Sequence, residues 1–157
     1  MKHLQGLDAV DRRLLGLLAA DARRTNASLA EELGIAPSTC LARLKALRES
    51  GAVRRFTVEV DPAVLGHGLV ALISVRIRPG ARDRMAELFE RMRAMPGVLQ
   101  VFFLGGDEDF LLHVAVADSA EVSRFVLENL SADPAVGSTR TSLVFRHEPG
   151  EHPWQEK

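Results

Sequence analysis

Hydrophobic positions follow two registers along the chain, first every three to four residues and later every second residue. From Leu7 to Asp21 the apolar residues Leu7, Val10, Leu14, Leu17 and Leu18 recur at helical spacing, and Asp8 stands where an N-cap belongs. Thr25-Asn26 breaks that helix and can cap a second one, whose inward face is Leu29, Ala30 and Leu33. Gly34-Ile35-Ala36 makes a three-residue turn. Pro37-Ser38 then opens a third helix, with Ser38 as the expected cap and Cys40/Leu41, Leu44 and Leu47 as the buried stripe. Gly51 ends it. Two short helices joined by a tight turn, behind a supporting first helix, predict a helix-turn-helix of winged-helix-like type over residues 1–55.

After Gly51 the period changes. Val53 to Val60 is rich in β-branched residues and reads as a strand stopped by Asp61-Pro62, so that residues 56–68 form a linking strand and hinge. Leu69, Ala71, Ile73, Val75 and Ile77 alternate as one face of the next strand, within Leu69 to Arg78. Pro79-Gly80 leads into a helix with the stripe Met85, Leu88, Phe89 and Met92, ended by Pro96-Gly97. Strands are predicted at Val98 to Leu104 and Phe110 to Ala117, around a loop from Gly105 to Glu108. A helix capped by Asp118 or Ser119 carries Val122, Phe125, Val126 and Leu130, and Val136 to Arg146 makes the last strand. The fold class is therefore α+β, with a ferredoxin-like βαββαβ domain over residues 69–147 behind the helical one. The tail 148–157, with Pro149, Gly150 and Pro153, reads as extended.

Charge sharpens this division. The net charge is only −1 over 157 residues, but residues 1–55 carry a surplus of basic side chains and residues 56–157 a surplus of acidic ones. A basic head on an acidic body directs the search for nucleic-acid contacts to the helices. Cys40 is the single cysteine, which excludes an intrachain disulfide and a cysteine-based zinc site, and beside the apolar stripe it reads as a small buried hydrophobe. The first residues lack the charged-then-apolar run of a signal peptide, and no apolar run reaches the length of a membrane span, so a soluble cytoplasmic protein without membrane contact is expected.

With Leu41, Leu44 and Leu47 inward, the third helix presents Ser38, Thr39, Ala42, Lys45, Ala46 and Glu49 outward and Arg43 on its flank. Small alanines allow close approach to a groove, and Ser38 and Thr39 lie at a helix N-terminus that favours phosphate. Arg43 is long enough to reach a guanine edge or a phosphate. Arg23, Arg24, Arg54 and Arg55 can clamp the backbone to either side. The plainer alternative is a helical bundle with a solvated charged face. The local positive charge and the tight turn favour double-stranded DNA.

The second constellation is Gly105-Gly106-Asp107-Glu108-Asp109-Phe110, between what read as two central strands. Paired glycines can expose backbone N–H groups to a carboxylate, and Asp107 or Asp109 can hold an ammonium, the two charges of a free amino acid. Thr139 and Thr141 offer hydroxyls on the last strand, and Leu104 and Phe110 an apolar wall for an aliphatic or aromatic side chain. A plain hairpin with solvated acids is the alternative, and alternating threonines also suit a strand for their β-propensity alone. No catalytic pattern and no cofactor or metal motif emerges. His3, His67, His113, His147 and His152 are scattered, and Pro149-Gly150 prevents His147-Glu148…Glu151-His152 from aligning two ligands on a helix.

Three stretches carry a family resemblance: Leu7-Asp8…Asp11-Arg12 with Leu14-Leu15, Pro37-Ser38-Thr39-Cys40-Leu41-Ala42-Arg43-Leu44, and Gly106-Asp107-Glu108-Asp109-Phe110-Leu111-Leu112. With Thr139-Arg140-Thr141 on the last strand, the chain resembles Lrp/AsnC (feast/famine) transcriptional regulators over essentially its whole length. The resemblance implies an N-terminal DNA-binding domain, and a C-terminal domain that binds an amino-acid effector near the glycine-acid loop. It also implies homodimers that assemble further, typically to octamers. Gly105 and Glu108 depart from the family's usual residues, so the effector need not be leucine or asparagine. Siroheme decarboxylases resemble the same two-domain pattern, an enzymatic alternative that the third helix with Ser38, Thr39 and Arg43 disfavours. A regulator that needs no effector is the other alternative.

Overall fold

Helices α1 (Ala9–Ala20), α2 (Asn26–Leu33) and α3 (Pro37–Glu49) form where the helical spacing puts them. They belong to a computed structural model that describes residues 6–148, in which the chain divides into two units between Val58 and Glu59. The Asp8 carboxylate accepts the Asp11 N–H at 2.8 Å while the Asp11 carboxylate accepts the Asp8 N–H at 3.3 Å, a reciprocal box that starts α1. Thr25 caps α2 by accepting the Ser28 N–H at 3.2 Å, and Gly34 closes it. At α3 the cap differs from expectation. Ala36 is the N-cap and Pro37 the first helical residue, so Ser38 lies exposed inside the first turn. Proline needs no cap for an N–H it lacks, and its fixed φ already suits a helix start.

Leu14, Leu18, Leu29, Ala30, Leu33, Cys40 and Leu47 fill the helical core. Leu41 is not among them and stands 58% exposed. The inward direction of α3 runs through Cys40, Leu44 and Leu47, and a residue one position past Cys40 is turned away by about 100°. The strand expected over Val53–Val60 also does not form. Its apolar alternation is real, with Phe56, Val58 and Val60 all exposed, but no described strand lies beside it to complete a ladder.

In the second unit Asp61 caps a single 3-10 turn, Pro62–Leu65. Then follow β1 (Leu69–Ile77), α4 (Met85–Arg93) behind a 3-10 stretch from Pro79 to Arg84, β2 (Val98–Phe103) and β3 (Phe110–Val116). Helix α5 (Ser119–Phe125) continues as wider π-type turns over Val126–Ser131, and β4 (Val136–Val144) ends the unit. The sheet is antiparallel in the order β2-β3-β1-β4, the ferredoxin-like arrangement. Ile73, Val75 and Ile77 of β1 and Phe110, Leu112 and Val114 of β3 pack against Leu88 and Met92 of α4 and against Phe125 and Leu130. The other sheet face carries Val70, Leu72, Phe102, Leu111 and Val144, all partly or fully exposed. No described helix is long and apolar enough to cross a membrane. The tail beyond Glu148, with His152, and His3 lie outside the described residues.

Candidate nucleic-acid interface and glycine-acid loop

Helix α3 presents Ser38, Thr39, Ala42, Lys45, Ala46 and Glu49 to solvent. Its first turn is tied to α2 by the Asn26 side-chain amide, which donates to the Pro37 carbonyl at 2.8 Å. Lys45 meets Glu49 only at 3.8 Å with both side chains well exposed, so it can turn outward at little cost. Arg54 and Arg55 are exposed just past α3, and neither makes an ion pair among the described residues. Arg23 is likewise exposed, whereas Arg24 is held by the Ser28 hydroxyl and the Glu32 carboxylate. On the flank away from Thr39, Leu41, Leu44, Lys45, Arg48, Glu49, Val53 and Arg54 line a groove of ≈ 700 Å³. Nothing in the spacing of α3 had marked that groove.

Arg43 is placed otherwise than the sequence suggested. Its guanidinium does not fan outward; it lies 2.7 Å from Asp8 Oδ2 and 2.9 Å from Asp11 Oδ1. The Asp11 N–H first and Arg43 second hold the Asp8 carboxyl below the usual carboxylate range, and the two acids hold Arg43 above its own. The chemical reason is simple: two carboxylates fixed at a helix start are a stronger partner for a guanidinium than water. The sequence carried a clue in Asp11, an acid at the position where a capping box takes one.

The glycine-acid loop joins the edge strand β2 to the inner strand β3, rather than two central strands. The Leu104 N–H donates to the Asp109 carbonyl at 2.8 Å and closes it. Within it the two aspartates differ sharply. Asp109 is 7% exposed; its N–H donates to the Val75 carbonyl, its Oδ2 accepts the Ile77 N–H at 2.7 Å, and its Oδ1 lies 3.4 Å from Arg82. It is a latch on the end of β1, its oxygens already facing the Ile77 N–H and Arg82, since an unpaired carboxylate at that depth would be costly. Asp107, Gly105 and Gly106 stay exposed. Gly106 has φ +149°, open to glycine and rarely to other residues, and a Cβ there or at Gly105 would meet nothing within 4 Å. Glu108 pairs with Arg140 of β4 at 3.2 Å.

Phe110 is fully buried and stacks obliquely on Phe103 at 5.4 Å and Phe89 at 6.4 Å. Phe103 and Leu104 remain partly exposed beside the loop. Thr139 pairs with Val75, which pairs with Phe110, so Thr139 lies on the same sheet face two strands across, about 10 Å away. Thr141 is one face-repeat farther from the loop. The sheet thus gathers loop and threonines toward one end without closing them into a single pocket. On the opposite face the His113 and His147 rings stand 5.5 Å apart, and burial first, then His147, pushes the His113 imidazole below its usual pKa. Among the described residues no cluster of three or more His, Cys, Asp or Glu side chains could hold a metal.

Comparison with known proteins supplies two domain matches: residues 7–54 match a winged helix-turn-helix DNA-binding model and residues 70–151 the Lrp/AsnC ligand-binding domain. The chain is 47% identical to the HTH-type transcriptional regulator AldR of Mycolicibacterium smegmatis, covering 94% of this chain and 86% of that one. It is 34% identical to the leucine-responsive regulatory protein of Rhizobium meliloti, covering 89% and 90%. Among solved structures, a transcriptional regulator of Neisseria meningitidis in complex with L-Met superposes with a TM-score of 0.84 at 34% identity, covering 92% and 94%.

Proposed function

The chain belongs to the Lrp/AsnC family of transcriptional regulators, and on that premise we propose that it is a one-component switch: α3 reads operator DNA and the sheet unit senses a free amino acid. The observation that carries the DNA half is the uninterrupted outward face of α3, where Ser38, Thr39, Ala42 and Lys45 are exposed and Arg54 follows close behind. Hydroxyls at the helix N-terminus suit phosphate, and Ala42 lets the helix sit deep in the major groove. No reaction is assigned to any residue, and the site of action is the cytoplasm.

The sensing half rests on the open loop. Gly105 and Gly106 N–H groups receive the effector carboxylate, Asp107 its ammonium, and Leu104 and Phe103 its side chain, with the buried Phe110 ring supporting Phe103 from the core. Thr139 and Thr141 add hydroxyls from β4 when a neighbouring copy completes the site. An aliphatic or aromatic amino acid fits this wall, and the L-Met held by the neisserial relative is of that kind. The exposed apolar sheet face, with Val70, Leu72, Leu111 and Phe102, is covered by a second copy, and such dimers assemble further, to octamers.

Thermal-shift screening of the full chain against the twenty amino acids tests the sensing half, with mobility-shift titration of a selected DNA duplex for the outcome. An apolar amino acid raises the melting temperature and changes DNA affinity, by about 2.7 kcal/mol of stabilisation at a hundred times its Kd. Asp107→Ala abolishes both responses. Stabilisation by none of the twenty leaves a regulator that works without an effector.

A further inference from the structure

Given α3 as the DNA-reading helix proposed above, we propose that Arg43 with Asp8 and Asp11 forms a positioning device that sets the orientation of α3, and that Arg43 itself touches no base. The division of oxygens among these groups is the basis. Asp8 uses Oδ1 to accept the Asp11 N–H and Oδ2 for Arg43; Asp11 uses Oδ2 to accept the Asp8 N–H and Oδ1 for Arg43. All four carboxylate oxygens are committed, and the start of α1 and the flank of α3 become one hydrogen-bonded unit.

The location of that unit matters for reading DNA. Arg43 follows Thr39 by four residues and precedes Ala46 by three, so all three share one side of α3. An apolar stripe of Cys40, Leu44 and Leu47 holds the helices together, but apolar contact is non-directional and polar bonds add direction to it. Asn26 pins the first turn of α3 through the Pro37 carbonyl, and Arg43 pins the next turns through α1. Two polar pins at different heights fix the roll of the helix, and with it the direction in which Thr39 and Ala42 point. Both bonds are donated by Nη1, and swinging that nitrogen away toward DNA would leave two carboxylates unneutralised near phosphate, a repulsive arrangement.

The test uses the full chain and two duplexes of equal length: the tightest binder selected from a random-sequence pool, and an unrelated sequence. Asp11→Asn, Asp8→Asn and Arg43→Gln are each measured, after circular dichroism shows them folded at the assay temperature. Each single variant lowers affinity for the selected duplex about tenfold, equivalent to about 1.4 kcal/mol. Affinity for the unrelated duplex and the salt slope stay at parent values. The double variant Asp11→Asn/Arg43→Gln is no weaker than either single one, and Arg43→Lys, which keeps a cation for the acids, recovers most of the loss.

A direct DNA contact by Arg43 would give the opposite signs. Asp11→Asn would then strengthen binding by freeing the arginine, and Arg43→Gln would lower the salt slope by about one or relax preference at one base pair. Either result overturns the proposal. Ala42→Glu, which puts bulk and negative charge on the outward face, separates this failure from that of its premise. It abolishes selected-duplex binding if α3 reads DNA; unchanged binding removes both the reading helix and its positioning device.

Discussion

The two units of this chain use acidic side chains to hold structure in place, but at opposite depths. In the helical unit Asp8 works at the surface and Asp11 half-buried beneath it, sharing Arg43 while they cap α1. In the sheet unit Asp109 works almost wholly buried, tying the start of β3 to the end of β1. The cores differ in the same sense: among the described residues seven buried side chains hold three helices together, whereas twelve form the main core on one side of the sheet. A small core leaves orientation to exposed ion pairs, which water and salt weaken; a large one can bury the polar latch and protect it. The helical unit is thus expected to be the less stable of the two.

The largest effect expected from this contrast is in the small core. Leu14→Ala, at a fully buried position, should cost about 2–5 kcal/mol and melt the helices ahead of the sheet, turning one denaturation curve into two steps. A single shared transition for this variant would mean that the units do not differ as described. Next comes the buried latch. Asp109→Ala strands the Ile77 N–H and should cost about 1–3 kcal/mol, with amide exchange faster along β1 and β3 and unchanged in α1 to α3.

A smaller effect separates two glycines of the sheet unit. A Cβ at Gly97, where φ is +81°, would stand 2.9 Å from the Ala115 carbonyl oxygen, so Gly97→Ala should cost about 1–2 kcal/mol in a urea melt. Gly106→Ala meets open space and should cost less, its penalty being backbone strain alone. The mildest effect is on pH. His113 is held below its ordinary pKa of about 6.5 by burial and then by His147, so the folded state favours the neutral ring and the unfolded chain takes up the proton first. Its contribution is complete above about pH 6.5 and is lost as pH falls below that. Melting temperatures from pH 7.5 to 5.5 should therefore fall less steeply for His113→Gln than for the parent.

Most of the architecture was legible because it follows from spacing. The period of Leu14, Leu18, Leu29 and Leu33 and the alternation from Leu69 to Ile77 each describe one covered face, and local rules named the cap Asp8 and narrowed two others to Thr25-Asn26 and to Asp118 or Ser119, of which Thr25 and Asp118 serve. Pairing was not legible in the same way. Val53 to Val60 alternates as a strand should, yet a ladder needs a neighbour that no local pattern supplies. The site divided along the same line. That Ser38, Thr39, Ala42 and Lys45 face outward follows from helical phase alone. The destinations of Arg43, thirty-two residues from Asp11, and of Asp109, thirty-two from Ile77, depend on contacts distant in sequence. Both are long-range polar contacts, and composition could say only that acids and bases were present.

Cys40 gives the molecule a practical property. It is the single cysteine of the chain, it is fully buried on the inner side of α3, and burial pushes its thiol pKa up, so it reacts slowly with alkylating reagents in the native state. The surface is accordingly blank to maleimide chemistry. A cysteine introduced at Thr39 or Asp107 would be the one fast-reacting thiol, and a fluorophore placed there could report DNA encounter or loop occupancy without any residue first being removed.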